Sequence, residues 1–281
     1  PTSRRAPFPQ PLLMGGAARC LSLALLLLSP LLASAQHRCR LGDVRQPDGS
    51  FQLGSCEELL LFGESVGDGG AIKLAAALAG NTKLQLVDLW HNGVGAAGAK
   101  ALGAAIAKNT VLKRLYLNEN PLGAEGAKGI AAGLAKARGL RHLWLTRTNA
   151  GDEGAAALAT ALAANHVLEA LDMWECGISG AGAEAIAVAL KGRHDGLRTL
   201  ELRGNAMGDR GARAFAALLP TNKPLSTLDL LNTGVSAEGR ALLREGLRKA
   251  ASLPYMVLFE DAIGPHQQRT SWEEKGQKNA P

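Results

Sequence analysis

The stretch Leu84-Gln85-Leu86-Val87-Asp88-Leu89-Trp90-His91-Asn92 decides how this chain folds, because its apolar skeleton returns at a constant step. Leu84-x-x-Val87-x-Leu89-x-x-Asn92 recurs 28 residues on as Leu112-x-x-Leu115-x-Leu117-x-x-Asn120. It returns as Leu140-x-x-Leu143-x-Leu145-x-x-Thr148 and Leu168-x-x-Leu171-x-Met173-x-x-Cys176. Leu197-x-x-Leu200-x-Leu202-x-x-Asn205 and Leu225-x-x-Leu228-x-Leu230-x-x-Thr233 follow. A less regular copy, Cys56-x-x-Leu59-x-Leu61-x-x-Glu64, comes first, and a partial one, Leu253-Pro-Tyr-Met256-Val-Leu258, comes last. One extra residue breaks the step, at Arg193-His194-Asp195-Gly196. Self-similarity at such a period marks a stack of equal units.

Each unit has two halves. The first, with apolar residues two and three apart, reads as a strand. The second has the form Gly98-Ala99-x-x-Leu102-x-x-x-Ile106, repeated as Gly126-Ala127-x-x-Ile130-x-x-x-Leu134 and onward. Apolar residues at i, i+3 and i+7 mark one face of a helix. Strand then helix at constant period gives parallel strands joined by right-handed crossovers. One unit cannot bury its apolar face alone, so the core closes only by stacking. Glycines before each helix, such as Gly95, Gly123, Gly151 and Gly208, suit a tight strand-to-helix turn. The Asn, Thr or Cys ending each strand segment is expected to satisfy buried loop backbone. Cys176 is read there as a buried thiol.

The pattern resembles the ribonuclease-inhibitor type of leucine-rich repeat, and its copies look most like those of NOD-like receptors and Ran GTPase-activating proteins. The fold class this implies is α/β: a right-handed leucine-rich-repeat solenoid, or horseshoe, with parallel strands on the concave face and helices on the convex face. The resemblance reaches function only as far as a binding surface. Ribonuclease inhibitor is cysteine-rich in its repeats, whereas only Cys56 and Cys176 fall inside repeats here, so inhibitor activity does not carry over.

Residues outside the repeats divide into three parts. Positions 1–35 comprise upstream residues and a leader, 36–55 an N-terminal cap, and 259–281 a C-terminal cap and flexible tail, flanking repeats at 56–258. From Met14 to Ala35 a basic start, a run of about a dozen apolar residues and small residues before Gln36 describe a secretory signal peptide. The apolar run is too short for a membrane span, so none is expected after the leader is removed. A cytoplasmic protein is the alternative if the leader is not a true signal. Removing Arg4, Arg5 and Arg19 leaves 28 basic against 25 acidic residues, a net of +3 in place of +6. That balance gives no footprint for nucleic acid. In an oxidising compartment Cys39 and Cys56 could bond and close the cap; alternatively Cys56 is a buried core thiol.

Numbering each unit from its first Leu, positions one, four, six and nine enter the core and the rest of the strand segment faces the open side. Position five carries Asp88, Tyr116, Trp144, Asp172, Glu201 and Asp229; position seven carries Trp90, Asn118, Thr146, Trp174, Arg203 and Leu231. The chain has only 11 aromatics, yet Trp90, Tyr116, Trp144 and Trp174 fall in four consecutive repeats on this face. They are expected to form one continuous arc that anchors a protein partner. The charges look sorted: Lys113, Arg114, Arg141, His142 and Arg147 lie on one pair of repeats, and Asp172, Glu175, Glu201 and Asp229 on those after it. The partner-binding set is therefore Trp90, Tyr116, Trp144, Trp174, Asp88, Arg114, Arg147, Asp172, Glu175, Glu201 and Arg203.

No nucleophile elbow, phosphate loop, Cys-x-x-Cys or histidine cluster at ligand spacing occurs, so neither catalysis, nor a metal, nor a cofactor is expected. The reading is a monomeric, non-catalytic protein-binding module. The rival readings, by resemblance, are a regulator of a small GTPase or a leucine-rich-repeat fragment of a NOD-like innate-immune receptor.

Overall fold

The computed structural model of the protein describes residues 38–191, 196–222 and 224–250, together with a strand at 256–258. The expected leader at 1–35, the expected tail at 259–281 and residues 192–195, in the step that carries the extra residue, lie outside the described residues. The strands are β1 (Arg38–Cys39), β2 (Glu58–Leu60), β3 (Leu86–Asp88), β4 (Arg114–Tyr116), β5 (His142–Trp144), β6 (Ala170–Asp172), β7 (Thr199–Glu201), β8 (Thr227–Asp229) and β9 (Met256–Leu258). They pair in parallel in strict chain order within one sheet. The helices are α1 (Leu41–Val44), α2 (Gly67–Ala79), α3 (Ala96–Ile106), α4 (Gly123–Leu134), α5 (Gly151–Ala164), α6 (Gly180–Leu190), α7 (Gly208–Leu218) and α8 (Ala237–Lys249). Among the described residues no helix is long and apolar enough to cross a membrane.

Register follows the period. Position four pairs with position four along the sheet, as Val87 with Leu115, Leu115 with Leu143 and Leu143 with Leu171. These side chains, with Leu84, Leu89, Leu112 and Leu117 at positions one and six, are buried in the layer between sheet and helices. A slip of one residue would turn this whole set to solvent, which is why the register is unambiguous. Leu171 pairs with Leu200, so the extra residue of that step falls between α6 and β7 without disturbing either.

The last unit corrects the sequence alignment by one residue. Leu228 pairs with Val257, not Met256, and Met256 stands opposite Thr227. The helix of that step is longer: α8 has 13 residues where α7 has 11.

Strands this short depend on the loops that follow them. The parallel ladder continues past β3: the Leu89 N–H donates to Tyr116 (2.9 Å) and the His91 N–H to Asn118 (3.0 Å). Position nine then ties rung to rung. The Asn120 side chain donates to the Leu89 carbonyl (2.7 Å) and accepts from the Asn92 and Val94 N–H groups at 3.0 and 2.9 Å. Asn205 does the same for Cys176 and Ile178, both at 3.0 Å. Cys176 keeps the donor half of this role: its Sγ reaches the Leu145 carbonyl at 2.9 Å, and burial pushes its thiol pKa up.

Helix starts show a second coupling between neighbours. In three repeats the helix is preceded by an extended residue, Gly95, Ser179 or Ser236. In each case the preceding repeat supplies an aspartate. Asp68 accepts from the Gly95 N–H (2.7 Å), Asp152 from Ser179 (2.7 Å) and Asp209 from Ser236 (2.8 Å). Four others enter the helix through a glycine of positive φ, Gly67, Gly123, Gly151 or Gly208. Where such a repeat precedes another of its kind, as 112–139 precedes 140–167, Ala124 stands in the aspartate's place.

The N-terminal segment belongs to the sheet. β1 pairs with β2, and a disulfide joins Cys39 to Cys56 across 17 residues, with Cα atoms 5.9 Å apart. This covers the edge of β2, which would otherwise present unpaired backbone groups.

Candidate functional site

The open face of the sheet carries positions three, five, seven and eight of each repeat. Its aromatic residues make three separate sets of contacts. Tyr116 and Trp144, on adjacent strands in the position-five row, stack with centroids 3.8 Å apart and planes at 20°. Trp90 instead meets Phe62, edge to face, at 5.5 Å and 81°. Trp174 lies between two guanidinium groups, Arg147 at 5.6 Å and Arg203 at 5.2 Å from its ring centre. The reason is the position-seven row itself: between Trp90 and Trp174 it holds Asn118 and Thr146. These short side chains are buried, against the expectation that position seven is exposed, because the Asn118 side-chain amide oxygen, Oδ1, accepts from the Thr146 N–H at 3.1 Å.

Phe62 was not among the residues selected from sequence. It occupies position seven of the least regular repeat and is 61% exposed, more than the 37% of its neighbour Trp90. Extending the position-seven row back by one unit finds it.

The acidic residues of position five have a local task. The Asp88 carboxylate accepts from the Trp90 N–H (2.9 Å), Asp172 from Trp174 (2.8 Å) and Asp229 from Leu231 (2.9 Å). Asp172 also accepts from the Thr146 hydroxyl at 2.8 Å. Each closes the turn after its strand, a habit of aspartate where the backbone changes direction. Burial raises the pKa of Asp88 and Asp229, and the N–H bond only partly opposes it.

The separation of charge by region gives way to pairing along the rows. Glu58 bridges Arg38 (2.9 Å) and Arg114 (3.1 Å). Arg141 pairs with Glu169. In the position-eight row, Arg147 joins Glu119 (3.2 Å) and Glu175 (2.7 Å), and His91 approaches Glu119 at 3.6 Å. Opposite charges alternate because each row places equivalent residues roughly 4.8 Å apart across the strands. The bond to Arg147 holds the Glu175 carboxyl below its usual range. Arg203 differs: among the described residues it forms no salt bridge, and its Nε is buried without a hydrogen-bond partner. Its guanidinium rests on Trp174, and Glu201, beside it, completes the set read from sequence.

Position eight is also where the backbone turns left-handed. His91, Glu119, Arg147, Glu175 and Asn232 all have φ between 50° and 56°. Equal turns in successive units aim these side chains alike, so the charged row is as regular as the strands. Among the described residues no group of His, Cys, Asp or Glu is placed to hold a metal ion.

The protein family described as "Leucine Rich repeat" matches residues 80–103, 108–131, 164–187 and 197–216. No curated protein matches at a significant level. Among solved structures, one described as "Leiomodin-1 Actin-Binding Site 2 (ABS2)" is similar at TM-score 0.42 and 23% identity, covering 54% of this chain and 90% of that one. With matches in four segments and one parallel sheet alternating with helices, the chain carries leucine-rich repeats stacked as an α/β solenoid.

Proposed function

We propose that this protein is a non-catalytic binding module that holds a protein partner on the open sheet face, through Phe62, Trp90, Tyr116, Trp144 and Trp174. Strands repeat at roughly 4.8 Å and packed helices at roughly 8–10 Å. The array therefore bends toward the sheet, and the open face is concave. The observation that carries the reading is the exposure of Phe62 and Trp90 beside a stacked Tyr116–Trp144 pair, on a face whose ionic groups are largely paired with each other. Aromatic anchors ringed by neutralised charge are the usual composition of an interface core and rim. The leader-like Met14–Ala35 segment and the Cys39–Cys56 disulfide support a place on the secretory route.

The test captures proteins from culture medium with the intact chain and with a Trp90→Ala/Trp144→Ala/Trp174→Ala variant of matched folding. Partners retained by the first and lost by the second support the reading. Equal recovery by both removes the aromatic face from it.

A further inference from the structure

We infer that the open face seats a proline-rich segment of the protein partner, extended as a polyproline II helix across the ring pairs Phe62–Trp90 and Tyr116–Trp144. The inference rests on the proposed binding face and specifies the chemistry of its occupant. The two pairs stand on successive pairs of strands: Phe62 and Trp90 follow β2 and β3, and Tyr116 and Trp144 end β4 and β5. Their centres are therefore two strands apart, roughly 9.6 Å. Polyproline II turns once in three residues, so equivalent residues return every ~9.3 Å. A β-strand laid on the same face returns its side chains about every 6.6 Å and falls out of step.

The surroundings decide against other occupants. Among the described residues neither the Trp90 nor the Trp144 indole N–H has a hydrogen-bond partner. An α-helix uses its own carbonyls and leaves such donors bare, whereas polyproline II has no internal hydrogen bonds and keeps its carbonyls free. A charged ligand gains little here: Glu58 is held by Arg38 and Arg114, and Glu119 by Arg147. Asp88, on β3 between the pairs, accepts from the Trp90 N–H, and burial favours its neutral form. Leu60, half-buried on the same face, extends the apolar surface. What fits is uncharged, apolar and rich in acceptors. Proline-rich segments meet these needs in aromatic-lined grooves, and their helix exists before binding, which lowers the cost of ordering. Trp174 stands outside the seat, because the Arg147 and Arg203 guanidinium groups lie over its ring.

The probe is acetyl-decaproline amide, titrated into the full chain, with Gly-Ser and Ala-Leu-Gln peptides of the same length as flexible and helical controls. The readout is the pair of indole N–H resonances of Trp90 and Trp144, identified by Trp90→Phe and Trp144→Phe. Decaproline is expected to shift both resonances saturably and together, and the controls to leave them in place. Each Phe variant keeps a ring and removes a donor. It should bind decaproline about three- to tenfold more weakly, read from the remaining indole, with an unchanged melting temperature. No saturable shift with decaproline, equal binding of either control, or undiminished affinity in either variant overturns the inference. If decaproline fails while the aromatic variant still loses partners from the medium, only the proline-rich occupant falls. If both fail, the binding face falls with it.

Discussion

Between α3 and α4 the groups that meet are the bare Cα atoms of Gly103, Gly129 and Gly133; a Cβ on Gly103 would overlap the Gly129 carbonyl, and one on Gly133 the Gly103 carbonyl. On the sheet face of the same two repeats stand Trp90 and Tyr116. One period thus produces a helix layer stripped of side chains and a strand layer carrying the largest ones. The difference has a geometric origin. Helices are wider than strands, and both must advance once per repeat, so the helix side is crowded and the sheet side is open. Substitutions in the first layer should be felt in stability, and those in the second in binding.

The largest break of this contrast is Gly133→Val. Overpacking against backbone leaves nothing to move, and a loss of about 3 kcal/mol or more is expected in urea unfolding. A loss within experimental error would mean that α3 and α4 can separate freely. Removal of the disulfide by Cys39→Ala/Cys56→Ala should cost about 2–3 kcal/mol, as for a closed loop of this size. Peptide mapping of the protein with and without reductant checks the bond itself, since free thiols at both positions would contradict it. Asn120→Ala should cost about 2 kcal/mol or more, because several buried backbone groups lose their partner. Thr148→Ala should cost less, since the Thr148 hydroxyl donates to the Leu145 carbonyl of its own repeat. Trp144→Ala should cost about 1 kcal/mol, the value of a stacked pair, while removing most partner binding.

Acid titration sharpens the same comparison with smaller effects. In the helix layer, hydrogen bonds from the Ser236 hydroxyl and N–H lower the Asp209 pKa. Its stabilisation is present above the unfolded value of about 3.9 and is lost as pH falls through the lower folded value. Asp209→Asn should therefore be less stable than the parent at neutral pH, with the gap closing in strong acid. On the sheet face, burial raises the Asp88 pKa. Its protonated form is favoured in the fold, and stability is lost as pH rises from about 3.9 through the raised value. Asp88→Asn keeps an acceptor for the Trp90 N–H and should gain on the parent as pH rises through that window. Thermal melts from pH 2 to 7 read both, and slopes of the same sign would contradict the assignment.

The repeats, their strand–helix order and the identity of the buried positions were legible because each is enforced by a period of equal residues. The helix-start aspartates follow a sequence rule as well: Asp68, Asp152 and Asp209 occur where the next repeat has Gly95, Ser179 or Ser236. The grouping of the rings was not legible. Position alone could not tell that Asn118 would turn inward and separate Trp90 from Trp174, nor that Asp88 and Asp172 would close turns. Those outcomes depend on which hydrogen bonds each short polar side chain can reach, and that is a property of the folded loop. The β9 register was hidden for a related reason, since one more residue in the step before it leaves the apolar pattern nearly unchanged.

By itself the sequence determined the stacking unit, the parallel register of β2 to β8 and the face on which large side chains stand. Hydrophobic periodicity acts at fixed spacing along the chain, and burial admits one solution. The tertiary structure decided which side chains on that face touch. Tyr116 stacks on Trp144, Phe62 meets Trp90, and Arg147 and Arg203 flank Trp174. These contacts run across strands 28 or 29 residues apart, and their partners are chosen by rotamer, turn and charge once the strands are already side by side.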